Sequence, residues 1–599
     1  MTINILGISC YYHDSSAALI VNGEIMSAVQ EERFSRIKND SSFPTNSINF
    51  ILKENNLRLN EITHIVFYEK PFLKFTRLLE TYLSNAPLGF TSFKKALPIW
   101  IKEKLFQKRE IQLEFKKLDK NFEGKILFSE HHLSHAASAF YPSPFGEALI
   151  LTFDAVGEYT TTSIAIGKNN KIEFKKAINY PHSLGMIYSS FTYYCGFKVN
   201  EGEYKLMGLA PYGHPKYKEI IYDKLIQVHE DGSFFLNMRY FDYSTGLRMI
   251  NKKFENLFGR KTKLPEDKLD QFHMDIAASI QKVIEEIIIK ICRYYQKEYN
   301  LKNLCLAGGV ALNCVANGEI LKSQIFEDIW IQPAAGDAGG SLGAALSVWY
   351  DMLKNQRFIV KGSDSMKGSF LGPEFTNSEI KSELDRLGAK YKYIDEDQLS
   401  NKVSDLLVEK KLIGWFQGAL EFGPRALGNR SIIAHPGDMD MQKKINMSVK
   451  FREGFRPFAP AVLSEETFNF FENNNLNNYM LIVSNIKDSL KENKNLLNNT
   501  SGFKKLNIKR SILQGITHVD YSARVQSVNK EQNLKFYKLI KKFYEKSKIP
   551  ILINTSFNIN NEPIVCTVED AFRCFLVTDL DYLVCGNYIL EKNEQIYND

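Results

Sequence analysis

The sequence has no Cys-x-x-Cys pair among its eight cysteines, Cys10, Cys195, Cys292, Cys305, Cys314, Cys566, Cys574 and Cys585. That spacing carries many zinc ribbons and thioredoxin-like redox sites, so neither class is expected. Several cysteines stand inside apolar runs, as in Leu304-Cys305-Leu306, which fits reduced core thiols in a cytosolic protein. No apolar run approaches about 18 residues, so no membrane span is expected. The first residues, Met1-Thr2-Ile3-Asn4-Ile5-Leu6-Gly7, show neither a basic region nor a long apolar stretch, so no secretory signal is expected. Net charge is also small: 76 Lys and Arg against 69 Asp and Glu leave +7 over 599 residues. That suits anionic small substrates and nucleic acid alike and selects neither.

Apolar material is ample. With 44% hydrophobic and 13% aromatic residues the chain can bury sizeable cores, and its length suggests roughly three or four domain-sized units. It opens as strand 3–10, the polar loop His13-Asp14-Ser15-Ser16, strand 17–21, the hairpin dipeptide Asn22-Gly23 and strand 24–30. Residues 71–118 are basic and aromatic. They predict an amphipathic helical insertion, with an acceptor-binding or membrane-touching surface as the functional alternative. Strands are predicted at 148–153, 160–166, 303–307 and 327–332, and a long helix at 275–297 from the spacing of Ile276, Ile280, Ile284, Ile287, Ile288 and Ile291. The polar run 361–369 marks a boundary, so one domain is expected over 1–355 and another over 370–599. The asparagine-rich stretch 473–478 predicts a solvated loop.

The run Glu130-His131-His132-Leu133-Ser134-His135 carries the strongest chemical signal. Histidines four residues apart share a helix face and can offer two imidazoles to one metal ion; the bland alternative is two ordinary helix-face histidines. Asp154 and Asp337, each after an apolar strand, would complete a two-histidine, two-carboxylate set at strand ends, where open α/β sheets bind ligands. The loop Gly308-Gly309-Val310-Ala311-Leu312-Asn313 joins a strand to a helix, and glycines there admit a nucleotide to the backbone. Gly336-Asp337-Ala338-Gly339-Gly340 reads the same way; for both, a tight turn is the alternative. His13 is a candidate base for an acceptor hydroxyl. Lys38, after Glu31-Glu32-Arg33-Phe34-Ser35-Arg36, is a candidate oxyanion stabiliser, against a capping histidine and a surface charge cluster. Phe422-Gly423-Pro424-Arg425-Ala426-Leu427-Gly428-Asn429-Arg430 and Lys450-Phe451-Arg452-Glu453-Gly454-Phe455-Arg456 hold cations in frames constrained by Gly and Pro, suited to polyphosphate or acyl phosphate. Arg524 and Asn554-Thr555-Ser556-Phe557-Asn558 would complete an anion site, or form ordinary turns.

In this order the motifs resemble the O-carbamoyltransferase family of antibiotic and nodulation-factor biosynthesis, nearly end to end. The resemblance also rests on Gln30-Glu31-Glu32-Arg33-Phe34, Lys205-Leu206-Met207-Gly208-Leu209-Ala210-Pro211 and Phe455-Arg456-Pro457-Phe458-Ala459-Pro460. It implies an α/β protein of two catalytic domains. The first would be a duplicated α/β domain of the actin/hexokinase-like ATPase type, similar to the tRNA threonylcarbamoyl transferase. The second would be an α/β domain similar to threonylcarbamoyl-AMP synthase. Carbamoyl phosphate and ATP would give carbamoyl-adenylate in the second domain, releasing phosphate and pyrophosphate. The intermediate would pass through the protein interior to a metal site in the first, where an acceptor hydroxyl takes the carbamoyl group.

On that mapping His131, His135, Asp154 and Asp337 bind a divalent metal, with Fe(II) the expected ion; His13 is the general base and Lys38 stabilises the transition state. Gly309 and Asn313 hold the adenylate. Arg425, Lys450, Arg456 and Arg524, together with Arg430, Arg452 and Ser556, handle carbamoyl phosphate and ATP, the latter carrying Mg(II). The acceptor would be a hydroxyl-bearing secondary metabolite or glycan; no nucleic-acid partner is expected, and a homodimer is a compatible assembly. A tRNA threonylcarbamoyl transferase and a sugar-kinase-like phosphotransferase are the alternative enzymes, and a non-catalytic nucleotide-binding regulator is a third class. One residue departs from the family pattern: Ala155 follows Asp154 where glycine is usual. Alanine enters the positive-φ region less readily, so a shifted loop is expected there.

Overall fold

The computed structural model describes residues 2–101, 105–360, 362–473 and 478–595. Most of the asparagine-rich stretch, residues 102–104 of the insertion and residue 361 of the boundary run lie outside the described residues. The chain divides into two compact units, one formed by Met1–Glu31 and Ser41–Ser365, the other by Glu32–Asp40 and Met366–Asp599.

The first unit holds two five-stranded sheets. One consists of β1 (Asn4–Ser9), β2 (Ser16–Val21), β3 (Glu24–Gln30), β4 (His64–Phe67) and β5 (Ile126–Phe128), in the order β3-β2-β1-β4-β5. The other contains β6 (Glu147–Phe153), β7 (Thr160–Lys168) and β8 (Lys171–Asn179). After a small hairpin of β9 (Ile226–Val228) and β10 (Phe234–Leu236), it is completed by β11 (Asn303–Ala307) and β12 (Asp328–Ile331), in the order β8-β7-β6-β11-β12. In both sheets the first three strands form an antiparallel meander and the last two run parallel to the first. The unit is therefore one α/β motif built twice, the duplicated arrangement of the actin/hexokinase-like fold. The central strands β1 and β6 are buried almost throughout, which is why they read as near-continuous apolar runs. Asn22 and Gly23 both have positive φ, 48° and 89°, as a two-residue hairpin turn requires.

Two helices at equivalent places in the repeats set how closely the halves approach. His131–Phe140 follows β5 and Ala338–Ser347 follows β12. A Cβ at Gly343 would collide with the Ser134 carbonyl and one at Gly340 with the Tyr68 ring, so the two helices cross in backbone contact. Gly339 and Gly340 lie inside helix Ala338–Ser347, against the Ala334 carbonyl and the Tyr68 ring, rather than in an open loop. The helix begins at Ala338 rather than near Leu342, and its glycines serve close packing. The described residues of the insertion include the helices Pro71–Asn85, Phe90–Trp100 and Gln107–Leu118. The long predicted helix runs from Gln271 to Tyr299, capped by Asp270, with its isoleucine stripe buried.

The second unit is built on a nine-stranded mixed sheet of β13 (Lys392–Tyr393), β14 (Ile413–Phe416), β15 (Arg430–Ala434), β16 (Ala459–Leu463), β17 (Ile482–Asn485), β18 (Ser522–Val528), β19 (Ile551–Ser556), β20 (Tyr582–Cys585) and β21 (Tyr588–Glu591). Their order is β13-β21-β20-β14-β15-β19-β16-β18-β17. Helices Glu396–Val408 and Leu534–Ser547 pack over it around Trp415, Leu407, Phe536 and Ile540. Segment 32–40 is tied into this unit by arginines: Arg33 Nη2 donates to the Gly423 carbonyl (2.7 Å), and Arg36 to the carbonyls of Ile564 (2.6 Å) and Pro563 (2.9 Å). The run 31–36 is accordingly no solvated charge cluster. All eight cysteines are buried and none is in a disulfide, and among the described residues no helix is long and apolar enough to cross a membrane.

Candidate functional site

In the first unit the chemistry gathers beyond the carboxyl ends of strands, the ligand-binding edge of α/β sheets. The duplication supplies it in equivalent pairs. His13 follows β1 and Asp154 follows β6, the first strands of the two repeats; His131 follows β5 and Asp337 follows β12, the last. One ligand atom from each of His131, His135, Asp154 and Asp337 lies within 4.8 Å of the others, and all four residues are buried. His131 Nε2 is 3.1 Å from Asp154 Oδ2, 3.0 Å from His135 Nε2 and 3.7 Å from Asp337 Oδ1, and His135 Nε2 is 3.5 Å from Asp337 Oδ1. Metal bonds of about 2.0–2.2 Å place neighbouring ligands about 3 Å apart and opposite ligands about 4.2 Å apart; all four separations fall between these limits. The Nδ1 atoms of both histidines make no hydrogen bond among the described residues, that of His131 lying 3.9 Å from Glu69 Oε2. Donor chemistry and spacing together fit one divalent cation.

Surrounding groups hold this set in place. Glu158 accepts hydrogen bonds from the backbone N–H groups of His131 (2.9 Å) and Lys70 (2.8 Å), anchoring the start of the histidine helix, where a carboxylate also meets the helix dipole favourably. Tyr68 donates to Asp337 Oδ2 (3.4 Å), and the Gly309 N–H donates to Asp154 Oδ1 (3.3 Å). Burial pushes both aspartates up, but the facing imidazoles outweigh it. Asp337 falls to about 2 and Asp154 lies well below the usual carboxylate range. Burial would conversely lower His131, but Asp337, Asp154 and Glu158 raise it to about 9. His132, on the same helix, turns to Ser163 Oγ (2.8 Å) and is held at about 3 by burial and by His131, so it is no member of the set. Ala155 avoids the left-handed region, and the Asp154 N–H still pairs with the Thr161 carbonyl (2.9 Å); alanine leaves this strand end intact.

His13 stands in a strained loop, with Tyr11 at φ 71° and Asp14 at φ 53°. Strain of this kind is concentrated at functional sites. Its Nδ1 meets Asp14 Oδ2 at 3.0 Å and its Nε2 lies 3.8 Å from Asp337 Oδ2. Burial lowers its pKa, but Asp337, Asp14 and Asp154 together raise it to about 9. Asn313 has structural duties: it caps helix Cys314–Lys322 through the Ala316 N–H (3.1 Å) and exchanges hydrogen bonds with Gln281 (3.1 and 3.2 Å).

The second unit gathers cations. Lys450 is 2% exposed. Its Nζ donates to the Ser556 carbonyl, to Ser556 Oγ (3.3 Å), to the Asn558 carbonyl (3.0 Å) and to Asn558 Oδ1 (2.7 Å). Burial, followed by the charges of Arg452, Arg456 and Lys38, holds its pKa well below that of an ordinary lysine. Four cations therefore crowd one place, and Lys38, on segment 32–40, is one of them. Phe451 between Lys450 and Arg452 has φ 46°, a strained conformation for a bulky residue.

Arg425 is half-buried in a loop organised by Glu421, whose Oε1 accepts from the backbone N–H groups of Leu427 (2.8 Å), Asn429 (2.9 Å) and Arg430 (3.1 Å). Asn554 Nδ2 and Gln526 Nε2 pin this loop to the sheet through the carbonyls of Ala426 (3.2 Å) and Leu427 (2.7 Å), and the two side chains bond each other (2.7 Å). Arg524 lies two residues from Gln526 on β18, its buried Nε without an acceptor among the described residues. Arg430 is different. Fully buried, it donates to the carbonyls of Gln417 (2.6 Å), Gly418 (2.9 Å) and Pro373 (3.0 Å) and lies 3.7 Å over the Phe416 ring; its guanidinium is spent on the fold. Glu421 and Gln526 are not singled out by the sequence reading. Asn558 stands in the strand-end run Asn554–Asn558, where Ser-x-Asn sets two polar side chains beside one cation.

Comparison with known proteins follows this division. The family model Carbamoyltransferase N-terminus matches residues 4–346, and Carbamoyltransferase C-terminus matches residues 404–592. The uncharacterized protein sll1178 of Synechocystis sp. is 52% identical over 99% of this chain and 97% of its own length. Nodulation protein NolNO of Sinorhizobium fredii is 34% identical over 97% of this chain and 79% of its own. Nodulation protein NolO of Bradyrhizobium diazoefficiens is 35% identical over 78% of this chain and 80% of its own.

Proposed function

The chain belongs to the carbamoyltransferase family, and from that premise we propose that it is an ATP-dependent O-carbamoyltransferase that activates and transfers the carbamoyl group in different units. The observation that carries this reading is the segregation of charge: the buried Lys450 with half-buried Arg452, Arg456 and Lys38 near it in one unit, buried carboxylates and imidazoles around His131 in the other.

In the second unit Lys450, Arg452, Arg456 and Lys38 supply positive charge for two polyanions, carbamoyl phosphate and ATP, the latter with Mg(II). Lys450 is held by Ser556 and Asn558, fixing the strand-end run beside which Arg452, Arg456 and Lys38 would meet the anions. Arg425 and Arg524 extend the cationic surface from the loop and strand that Asn554 and Gln526 join. Water cleaves carbamoyl phosphate to carbamate and phosphate, and a carbamate oxygen then bonds to the α-phosphorus of ATP as pyrophosphate leaves.

In the first unit His131, His135, Asp154 and Asp337 would hold a divalent cation, for which the resemblance suggests Fe(II). Bound there, it would polarise the carbamoyl carbonyl or steady the phosphate. The adenylate would bind at this edge of the strands, with Gly309 offering backbone beside Asp154. With a cation offsetting the charge of Asp337 and Asp154 that raises its pKa, His13 would take the proton of the acceptor hydroxyl as its oxygen bonds to the carbamoyl carbon and AMP departs. The acceptor is a hydroxyl-bearing secondary metabolite or glycan. In the full-length protein, pyrophosphate release from ATP should require carbamoyl phosphate; equal release with ATP alone would overturn the adenylate route.

A further inference from the structure

The helical insertion has a tip that neither the fold nor the carbamoyl chemistry uses. At the start of helix Pro71–Asn85, Lys74 and Arg77 are buried, and Arg77 donates to the Gly157 carbonyl (2.8 Å). That end belongs to the body of the first unit. The far end does not. Leu83, Leu88 and Phe90 are 75%, 69% and 69% exposed. Ser92 donates to the Thr245 carbonyl, and Gly89 packs on the same residue. This brings in a second segment carrying Leu247, 71% exposed. Four large apolar side chains from two segments therefore face solvent close together.

The charge around them is mainly positive. Residues 81–101 and 243–254 carry Lys94, Lys95, Arg248, Lys252 and Lys253, all exposed, against Glu80, Asp242 and Glu255 at their borders. Clustered exposed apolar groups mark interaction surfaces. A surface in which Leu and Phe are accompanied by an excess of Lys and Arg complements one partner above others, a lipid bilayer with anionic headgroups: the apolar groups enter the acyl boundary while the cations meet phosphates.

We propose that this tip docks the protein on an anionic membrane surface. The inference is independent of the carbamoyl reaction. The test is co-sedimentation of the full chain with vesicles of mixed phosphatidylglycerol and phosphatidylcholine, and with vesicles of phosphatidylcholine alone, at low and high salt. The protein should sediment with the anionic vesicles at low salt, be released by high salt and stay in the supernatant with the neutral ones. Each basic residue at such a surface contributes about fivefold to partitioning. Lys94→Glu, Lys95→Glu and Arg248→Glu combined should therefore weaken binding by about a hundredfold or more. Leu88→Ser with Phe90→Ser should weaken binding while keeping its salt dependence. Failure to sediment with anionic vesicles at low salt, equal binding to neutral vesicles, or full binding by the charge-reversed variant would each overturn the proposal. Light scattering that shows Leu88→Ser with Phe90→Ser splitting a larger assembly would assign the tip to contact between copies of the chain, and would also overturn it. The comparison of vesicle compositions uses the unaltered protein and does not depend on how the variants fold.

Discussion

Gly343→Ala adds one methyl group and touches no candidate ligand, yet it should disable the first unit's site. By intrinsic propensity, alanine for glycine in an exposed helix interior stabilises by about 1 kcal/mol. Here the added Cβ would overlap the Ser134 carbonyl oxygen, and restoring a van der Waals separation takes about 1.5 Å of movement between the helices. One of those helices carries His131 and His135; the other begins next to Asp337. The His135–Asp337 and His131–Asp337 separations, 3.5 and 3.7 Å, would then open to about 5 Å, beyond the roughly 4.2 Å that two ligands can span across one cation. Cation affinity should fall by about tenfold or more, in a protein destabilised by about 1–3 kcal/mol through overpacking. Calorimetric titration of chelator-treated protein with Fe(II) under anaerobic conditions reads the first quantity and a thermal melt the second. A variant that melts higher and binds the cation as tightly as its parent would refute the reasoning, because the helix crossing would then not set the ligand spacing.

Two further outcomes follow from the same geometry. A divalent cation at a thousandfold excess over its dissociation constant should stabilise the protein by about 4 kcal/mol, so chelator treatment should lower the melting temperature and metal addition restore it; coincident melts would contradict the metal site. Arg430→Lys cannot reproduce the fork that serves the Gln417, Gly418 and Pro373 carbonyls. It should cost about 3 kcal/mol or more of stability while carbamoyl-phosphate-dependent pyrophosphate release per folded molecule persists. Loss of release at unchanged stability would return Arg430 to the anion site.

What the sequence could reveal depended on how local each signal was. His131 and His135 are legible because helix geometry alone sets both on one face, and Asp154 because an apolar strand visibly ends beside it. The duplication is not legible: β1 and β6 correspond through strand order and direction, which single-chain patterning does not record. Gly339 and Gly340 misled for a related reason. A glycine pair after a strand looks alike whether it turns the chain or admits a close neighbour, and for Gly340 that neighbour is Tyr68, far away in sequence. Arg430 and Arg425 share one motif, yet the carbonyls of Gln417, Gly418 and Pro373 claim the first. The tie of segment 32–40 to the second unit likewise rests on remote carbonyls at Gly423, Pro563 and Ile564.

The central claim is that activation and transfer belong to different units, and carbamoyl-phosphate-dependent pyrophosphate release in two full-length variants tests it most directly. His131→Ala should retain release near the parent rate, because the cation cluster around Lys450 is untouched. Arg456→Ala should lose it. Loss of release in His131→Ala as complete as that in Arg456→Ala would contradict the division of labour.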